Sequence, residues 1–165
     1  MKSCFACHGE QGRSQLPLTP SLGGQPGFFL LAQLFLFRED RRDNVAMTAA
    51  AKGMSDADLR FFSERIASLP PPPAPTGNAD PTRVARGAAV ARQRHCANCH
   101  NPDYSGHNNV PRLAHQREDY LLKALRDYRS GKRIGYGNAA MAETVAGLAD
   151  ADLAALAHLL AYWKR

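Results

Sequence analysis

The stretch Cys4-Phe5-Ala6-Cys7-His8 returns later in the chain as Cys96-Ala97-Asn98-Cys99-His100, and these two pentapeptides contain all four cysteines of the 165 residues. Cys-x-x-Cys-His is the attachment signature of a c-type haem. Two thiols three positions apart lie on one side of a helical turn, where each can bond a vinyl group of the porphyrin. The adjacent histidine can then supply the proximal nitrogen to the iron. The sequence therefore predicts two covalent c-type haems, one on Cys4, Cys7 and His8 and the other on Cys96, Cys99 and His100.

Paired cysteines have three other common uses, which the spacing alone leaves open. Two Cys-x-x-Cys pairs can bind a structural zinc ion, although such pairs usually lie closer together in sequence. A thioredoxin-like redox pair requires a strand and a helix around it, and structural disulfides require an oxidising compartment. A histidine directly after both pairs favours haem over all three.

The chain contains an internal repeat that extends well beyond the two haem motifs. When Pro20 is aligned with Pro111, the residues that follow match in type and order, and a small gap further on brings Met47 opposite Met141. The other matched pairs are Leu22 with Leu113, Gln25 with Gln116, Phe29 with Tyr120, Leu31 with Leu122, Leu34 with Leu125, Phe37 with Tyr128, Arg38 with Arg129, Met54 with Leu148, and residues 56–59 with 150–153. Two copies of one domain, residues 1–75 and 76–165, explain this order.

Apolar residues recur at helical spacing and no long stretch alternates with the period of a strand, so an all-α fold is expected. The proline-rich stretch 69–81 cannot continue a helix and is predicted to be a semi-rigid polyproline II linker between the two domains. Helices are predicted at about 26–37, from Ser55 onward with Asp58 in a weak capping box, at about 82–95, at about 118–129, and from Asp150 or Asp152 onward.

Methionine is the expected ligand on the other face of each iron. A thioether is a soft ligand that favours ferrous iron and so raises the reduction potential of an electron-transfer haem. Most methionines are core residues, but Met47 and Met141 occupy the same place after the haem motif in the two repeats, which favours sixth ligands. Met54 has Leu148 as its counterpart and is expected to be a core residue.

The remaining polar residues give weaker expectations. The chain has 21 basic and 15 acidic side chains, but no basic stripe with interleaved aromatics, so nucleic-acid binding is not expected. Residues 76–165 hold 13 of the basic and 8 of the acidic groups; this half either steers docking to an acidic redox partner or is an ordinary solvated surface. His107 and His115 are not expected to bind iron, and His95 and His158 are expected to be surface or helix residues. Candidate partners for haem propionates are Arg38, Arg129 and Arg133.

The chain resembles the diheme cytochromes c4, whose domains carry a haem motif followed by Gly, then Pro-x-Leu-x-Gly-Gln, Gln-Leu, Met and a Leu-Ser-Asp helix start. The corresponding residues of the first repeat are Cys7-His8-Gly9, Pro20-Ser21-Leu22-Gly23-Gly24-Gln25, Gln33-Leu34, Met47 and Met54-Ser55-Asp56. The second repeat departs from the pattern at Asn101 and at Ala114-His115-Gln116. The resemblance implies two tandem class I cytochrome c domains whose haem propionate edges face each other.

The resemblance also implies an electron carrier rather than an enzyme. Such a protein passes single electrons from an upstream quinol-oxidising complex or dehydrogenase toward a terminal oxidase in the periplasm, in soluble form or peripherally associated with the membrane. The alternative is that the chain is the diheme part of a larger oxidase or dehydrogenase complex. A diheme peroxidase needs an open iron position, which two matched methionines argue against.

The beginning of the chain conflicts with a periplasmic location. Met1-Lys2-Ser3 leads straight into Cys4 without the apolar segment of a signal peptide, and the first repeat lacks the helix expected before its haem motif. We expect both to belong to a longer precursor, since haem attachment of this kind takes place outside the cytoplasmic membrane.

Overall fold

The computed structural model describes residues 1–133 and 138–164, with the side chain of residue 138 left aside. The fold is helical, as predicted; the described residues form no strand, and His107 and Val110 make an isolated antiparallel bridge. A 3-10 turn at Glu10–Gly12 follows the first helix. The helices are α1 (Lys2–His8), α2 (Gly27–Arg38), α3 (Val45–Ala51), α4 (Asp56–Ala67), α5 (Pro81–Gln93), α6 (Cys96–His100), α7 (Glu118–Arg129), α8 (Asn138–Val145) and α9 (Asp150–Ala161).

Five helices correspond to the elements expected from the sequence. α7 has the predicted bounds, α2 and α5 lie within two residues of theirs, and α9 begins at Asp150. α4 begins after Ser55, whose hydroxyl accepts from the Asp58 N–H while the Asp58 carboxylate accepts from the Ser55 N–H, which confirms the capping box. The sequence does not predict α3 and α8, because helices of seven and eight residues are too short for an apolar period to stand out.

In the second repeat, α9 is the centre of the core. α5 crosses it at Gly87, where a Cβ atom would lie 2.4 Å from the carbonyl oxygen of Ala155, so only glycine permits this approach. α7 packs against α9 as well. No single described helix is long and apolar enough to cross a membrane; residues 139–145 and α9 meet that requirement only jointly, across a bend of 114°. The buried aliphatic side chains of this core are Val90, Leu121, Leu125, Val145, Leu148, Leu153, Leu156, Leu159 and Leu160.

The first repeat pairs α2 with α4. The buried side chains of this contact are Leu30, Leu36, Phe37, Leu59 and Ile66. Large apolar side chains remain exposed on the same two helices, and they are Phe28, Phe35 and Phe61. The first repeat therefore has the smaller core and the more apolar surface of the two.

Matched arginines tie α2 to the start of α4 in the first repeat and α7 to the start of α9 in the second. Arg38 Nη1 donates to the Met54 carbonyl at 3.2 Å and to Asp56 at 2.7 Å. Arg129 Nη1 donates to the Leu148 carbonyl at 2.9 Å, and its Nη2 donates to Asp150 at 3.1 Å. These contacts agree with the sequence alignment of the repeats, including the gap that places Met47 opposite Met141.

The proline-rich linker lies against the first repeat where it leaves α4. The Gly24 N–H donates to the Leu69 carbonyl at 2.9 Å, and a Cβ at Gly23 would lie 2.2 Å from the Pro70 carbonyl oxygen. Pro72 is buried. The beginning of the linker is thus held in place by packing, and the stiffness of polyproline is not the only restraint on the two repeats.

Candidate functional site

Each haem motif presents a buried histidine in the same orientation. His8 ends α1 and His100 ends α6, and their exposed fractions are 6% and 5%. His8 Nδ1 donates to the Pro20 carbonyl at 2.8 Å, and His100 Nδ1 donates to the Pro111 carbonyl at 2.9 Å. Burial lowers the pKa of both imidazoles. A neutral ring whose Nδ1 carries the proton has a lone pair on Nε2, which is the arrangement of a metal-ligating histidine.

The four cysteines are free thiols at the edge of the cavity that these histidines enter. Cys7 and Cys99 are exposed, whereas Cys4 and Cys96 are half-buried, and burial raises the pKa of the Cys96 thiol. Within the described chain, no three His, Cys, Asp or Glu side chains are grouped as a metal ion would require, so the geometry does not favour a zinc site.

One continuous cavity of about 1270 Å³ joins both motifs. A pocket for a single drug-sized ligand measures about 300–1,000 Å³, so this space suits more than one large group. The cavity wall contains Met47 on α3 and Met141 on α8, and it also contains Met54 and Leu148. The two predicted sixth ligands therefore face the same space as the histidines, and Met54, predicted to be a core residue, lines it too.

Two arginines meet in this cavity at the junction of the repeats. Arg42 lies 4.6 Å from the ring centre of Phe37, and its counterpart Arg133 lies 4.6 Å from that of Tyr128. Both donate to Gln33 Oε1, at 2.6 Å and 3.3 Å. The buried Nε of Arg133 makes no hydrogen bond within the described residues. A second group that accepts hydrogen bonds fits this orphaned donor.

The electrostatic potential around these arginines is positive, as Tyr120 reveals. Its hydroxyl accepts from Arg42 Nη2 at 3.0 Å. Burial by itself raises the pKa of the phenol, but Arg42 and Arg133 outweigh that effect and bring it down to about 8. A site that stabilises a phenolate also stabilises carboxylates.

Two matched glutamines join the repeats through reciprocal bonds. Gln25 donates to the Arg112 carbonyl at 2.9 Å and accepts from the Arg112 N–H at 3.0 Å. Gln116 donates to the Ser21 carbonyl at 2.7 Å and accepts from the Ser21 N–H at 2.8 Å. Ser21 and Arg112 are themselves counterparts, so the same contact is made once in each direction.

The other candidates from the sequence have different neighbours. His107 is exposed, as is His95. His115 Nε2 bonds to the Trp163 carbonyl at 2.8 Å, and buried His158 bonds to Glu118 and to the Asp80 N–H, so neither ring faces the cavity. Arg38 and Arg129 bond to the starts of α4 and α9 and do not line the cavity. Of the three predicted propionate partners, Arg133 is the one that lines it. Sequence reasoning missed Arg42, although its alignment with Arg133 was a usable signal.

Comparison with known proteins places these features in a family. The family model described as Cytochrome c matches residues 84–163. The cytochrome c4 of Thiocapsa roseopersicina is 32% identical over 167 residues, which cover 95% of this chain and 85% of the relative. The crystal structure of reduced cytochrome c4 from Pseudomonas stutzeri superposes with a TM-score of 0.86 at 28% identity, covering 97% of this chain and 93% of that one. The thiosulfate dehydrogenase of Marichromatium purpuratum superposes with a TM-score of 0.82 at 28% identity. The matched region includes 96% of this chain but only 36% of the dehydrogenase chain.

Proposed function

The chain belongs to the cytochrome c4 family, and we propose that it carries single electrons in the periplasm from a quinol-oxidising complex or a dehydrogenase toward a terminal oxidase. As a member of this family it binds two covalently attached c-type haems, exchanges electrons with redox partner proteins and is not an enzyme.

The proposal assigns the haem sites residue by residue. Cys4 and Cys7 bond the first haem and Cys96 and Cys99 the second; His8 and His100 are the proximal ligands, and Met47 and Met141 the distal ones. The observation that carries this assignment is the duplicated bond from a buried histidine to a proline carbonyl beside a pair of free thiols. Each haem, when bound, supplies an iron that takes up and releases one electron.

The residues that line the cavity would hold each haem iron in similar surroundings in the two oxidation states. The proline carbonyl fixes the tautomer and the ring orientation of the histidine. The cavity wall is mostly apolar, and a bound haem that fills it would exclude water and so reduce the reorganisation that accompanies electron transfer. Arg42 and Arg133 lie where the two repeats meet, and we assign them to the haem propionates because both stack on aromatic rings in the cavity and the buried Arg133 Nε has no acceptor among the described residues.

A spectroscopic titration of the holoprotein tests the assignment. We expect two haems per chain, low-spin spectra in both oxidation states and a weak Fe–S(Met) band in the ferric form. One haem per chain, or a high-spin spectrum in both states, contradicts it. Stopped-flow reduction by a quinol-oxidising complex, followed by oxidation by a terminal oxidase, tests the direction of transfer.

A second candidate function is supported by the similarity to the thiosulfate dehydrogenase, in which the matched part is about a third of the chain. In that case the electron donor of the two haems is a dehydrogenase in the same complex. A quinol-oxidising complex does not reduce them. The two candidate functions predict different donors as the faster reductant of the haems. Rapid reduction by a thiosulfate-oxidising dehydrogenase, with slow reduction by the quinol-oxidising complex, favours the second.

A further inference from the structure

The glutamines that join the repeats also contact the peptide groups that hold the proximal histidines. The Pro20 carbonyl and the Ser21 N–H belong to one peptide group. Its oxygen accepts from His8 Nδ1 at 2.8 Å and its N–H donates to Gln116 Oε1 at 2.8 Å. The second repeat repeats this pattern: the Pro111 carbonyl accepts from His100 Nδ1 at 2.9 Å, and the Arg112 N–H donates to Gln25 Oε1 at 3.0 Å.

We propose that Gln25 and Gln116 are positioning residues that tune the reduction potential of the haem in the opposite repeat. The proposal rests on the proposed function, because it takes His8 and His100 as iron ligands. It adds that a side chain of the second repeat acts on the first haem, and a side chain of the first repeat on the second haem.

The physical reason lies in the polarisation of a peptide group. When its N–H donates to a strong acceptor, the electron density on its carbonyl oxygen rises, and hydrogen bonds in such a chain strengthen one another. A more negative carbonyl draws the Nδ1 proton of the histidine more strongly, and this raises the basicity of the ligating nitrogen. A more basic ligand stabilises ferric iron over ferrous iron, so each glutamine lowers the potential of the opposite haem.

The geometry favours an effect of this kind over simple packing. Both glutamines are buried, with exposed fractions of 6% and 4%. The Gln25 amide donates to and accepts from the backbone of Arg112, and the Gln116 amide does the same with Ser21, so each amide oxygen is held toward the N–H. Gln116 Oε1 accepts a further bond from the Arg117 N–H at 3.0 Å, which fixes it in the same place.

The test is a redox titration of the holoprotein, with the two haems distinguished by their assigned ferric haem-methyl NMR signals. Gln116→Met, a substitution of similar volume that lacks the acceptor, should raise the midpoint of the first-repeat haem and leave that of the second unchanged. Gln25→Met should do the reverse. Gln93→Met, at an exposed glutamine of α5, should move neither. A shift confined to the haem of the mutated repeat, or an equal shift of both haems, overturns the proposal.

Gln116→Glu keeps an acceptor oxygen for the Ser21 N–H, and it provides the second variant if the methionine variant does not fold. The first-repeat midpoint should then lie at or below that of the unmodified protein, whereas a role in packing alone predicts the same direction of shift for both substitutions. If the unmodified holoprotein lacks two histidine-ligated low-spin haems, the proposed function fails. If those haems are normal and the crossed shifts are absent, only this inference fails.

Discussion

At the scale of single residues, the two repeats keep the same backbone conformation even where they change the side chain. Gly9 and Asn101, which follow the two haem motifs, have φ of 76° and 68°, and the matched pair Gly24 and His115 have φ of 67° and 62°. Gly9 and Asn101 also share extended ψ values of 164° and 156°, a region that glycine adopts far more readily than other residues, and the Asn101 amide donates there to Ser105 and to the Gly106 carbonyl. His115 makes a bond to the Trp163 carbonyl. The departures from the family pattern noted in the sequence therefore leave the conformation of the site intact.

The choice between Met47 and Met54 is a prediction at the same scale. Both line the cavity, but Met54 and Leu148 accept the same arginine bond in their repeats, which pairs Met47 with Met141. Met47→Ala should abolish the Fe–S band of one haem, lower its potential and open it to small ligands. Met54→Leu conserves volume, so it should cost less than about 1.5 kcal/mol and leave the spectrum unchanged. Loss of the band in Met54→Leu alone reverses the assignment.

Arg133 supports a prediction about charge. A buried cation near the haems stabilises the reduced form, because reduction lowers the positive charge on the iron. Arg133→Gln should therefore lower at least one midpoint in a redox titration, and Arg133→Lys should retain more of the original value. Arg92→Gln, at an exposed position of α5, serves as the charge-matched control. Equal midpoints in Arg133→Gln and the unmodified protein would mean that its charge does not act on the haems.

At the scale of helices, the sequence predicts the long amphipathic elements and fails on the short ones. α4 and α7 carry an apolar stripe over twelve residues, and α4 has a capping box as well, so both were predictable. α3 is held by its N-cap, where Asn44 Oδ1 accepts from the Met47 N–H at 2.9 Å, and by its contacts with α2. A helix this short is stabilised mainly by tertiary contacts, and a local sequence pattern does not reveal those contacts.

The crossing of α5 and α9 gives a testable consequence for stability. Gly87→Ala places a methyl group 2.4 Å from the Ala155 carbonyl oxygen and forces the helices apart. Although alanine is the better helix former by about 1 kcal/mol, overpacking of this kind costs about 1–3 kcal/mol, so a net loss in the free energy of unfolding is expected. Gly53→Ala, where no atom lies within 4 Å, is the control and should be nearly neutral in denaturant titrations.

The start of α9 predicts a pH dependence. Hydrogen bonds from Arg126 and Arg129 hold the pKa of Asp150 at about 2, below its ordinary value. A carboxyl group whose pKa is depressed by folding stabilises the protein above its unfolded pKa, and that contribution disappears as the pH falls from about 4 to about 2. Asp150→Asn should lower the melting temperature at pH 7, and the gap from the unmodified protein should narrow on acidification. Glu143→Gln, an exposed change on α8, should show no such convergence.

At the scale of the whole molecule, the repeat predicts two copies of one domain but does not say how they meet. The contacts between the copies join residues such as Gln25 and Arg112, which are 87 positions apart. No local pattern specifies such a pair; the repeat identified Gln25 and Gln116 as matched without indicating that each binds the other half. The resemblance to the family implies haem edges that face each other, but no local pattern identifies which residues line the shared cavity.

Haem attachment should decide whether the second copy folds. A core of this size supplies only about 3–5 kcal/mol, and here the haem cavity lies inside it. Cys96→Ala combined with Cys99→Ala should leave the second copy largely unfolded by circular dichroism and proteolysis while the first keeps its haem. A cooperative, native-like second copy without haem would show that the haem is not part of its core.

The reciprocal glutamine bonds give the junction of the two repeats an approximate two-fold character. Each of these contacts is made a second time with the partners exchanged, as contacts between two identical subunits about a two-fold axis are. A tandem chain with contacts of this kind resembles a homodimer whose subunits are covalently joined, except that the two halves can differ in sequence. Such a difference is visible at Gln33, which accepts from both Arg42 and Arg133, whereas its counterpart Ala124 has no polar side chain. The two halves thus present unlike environments to their haems, and unlike environments can give the haems different potentials.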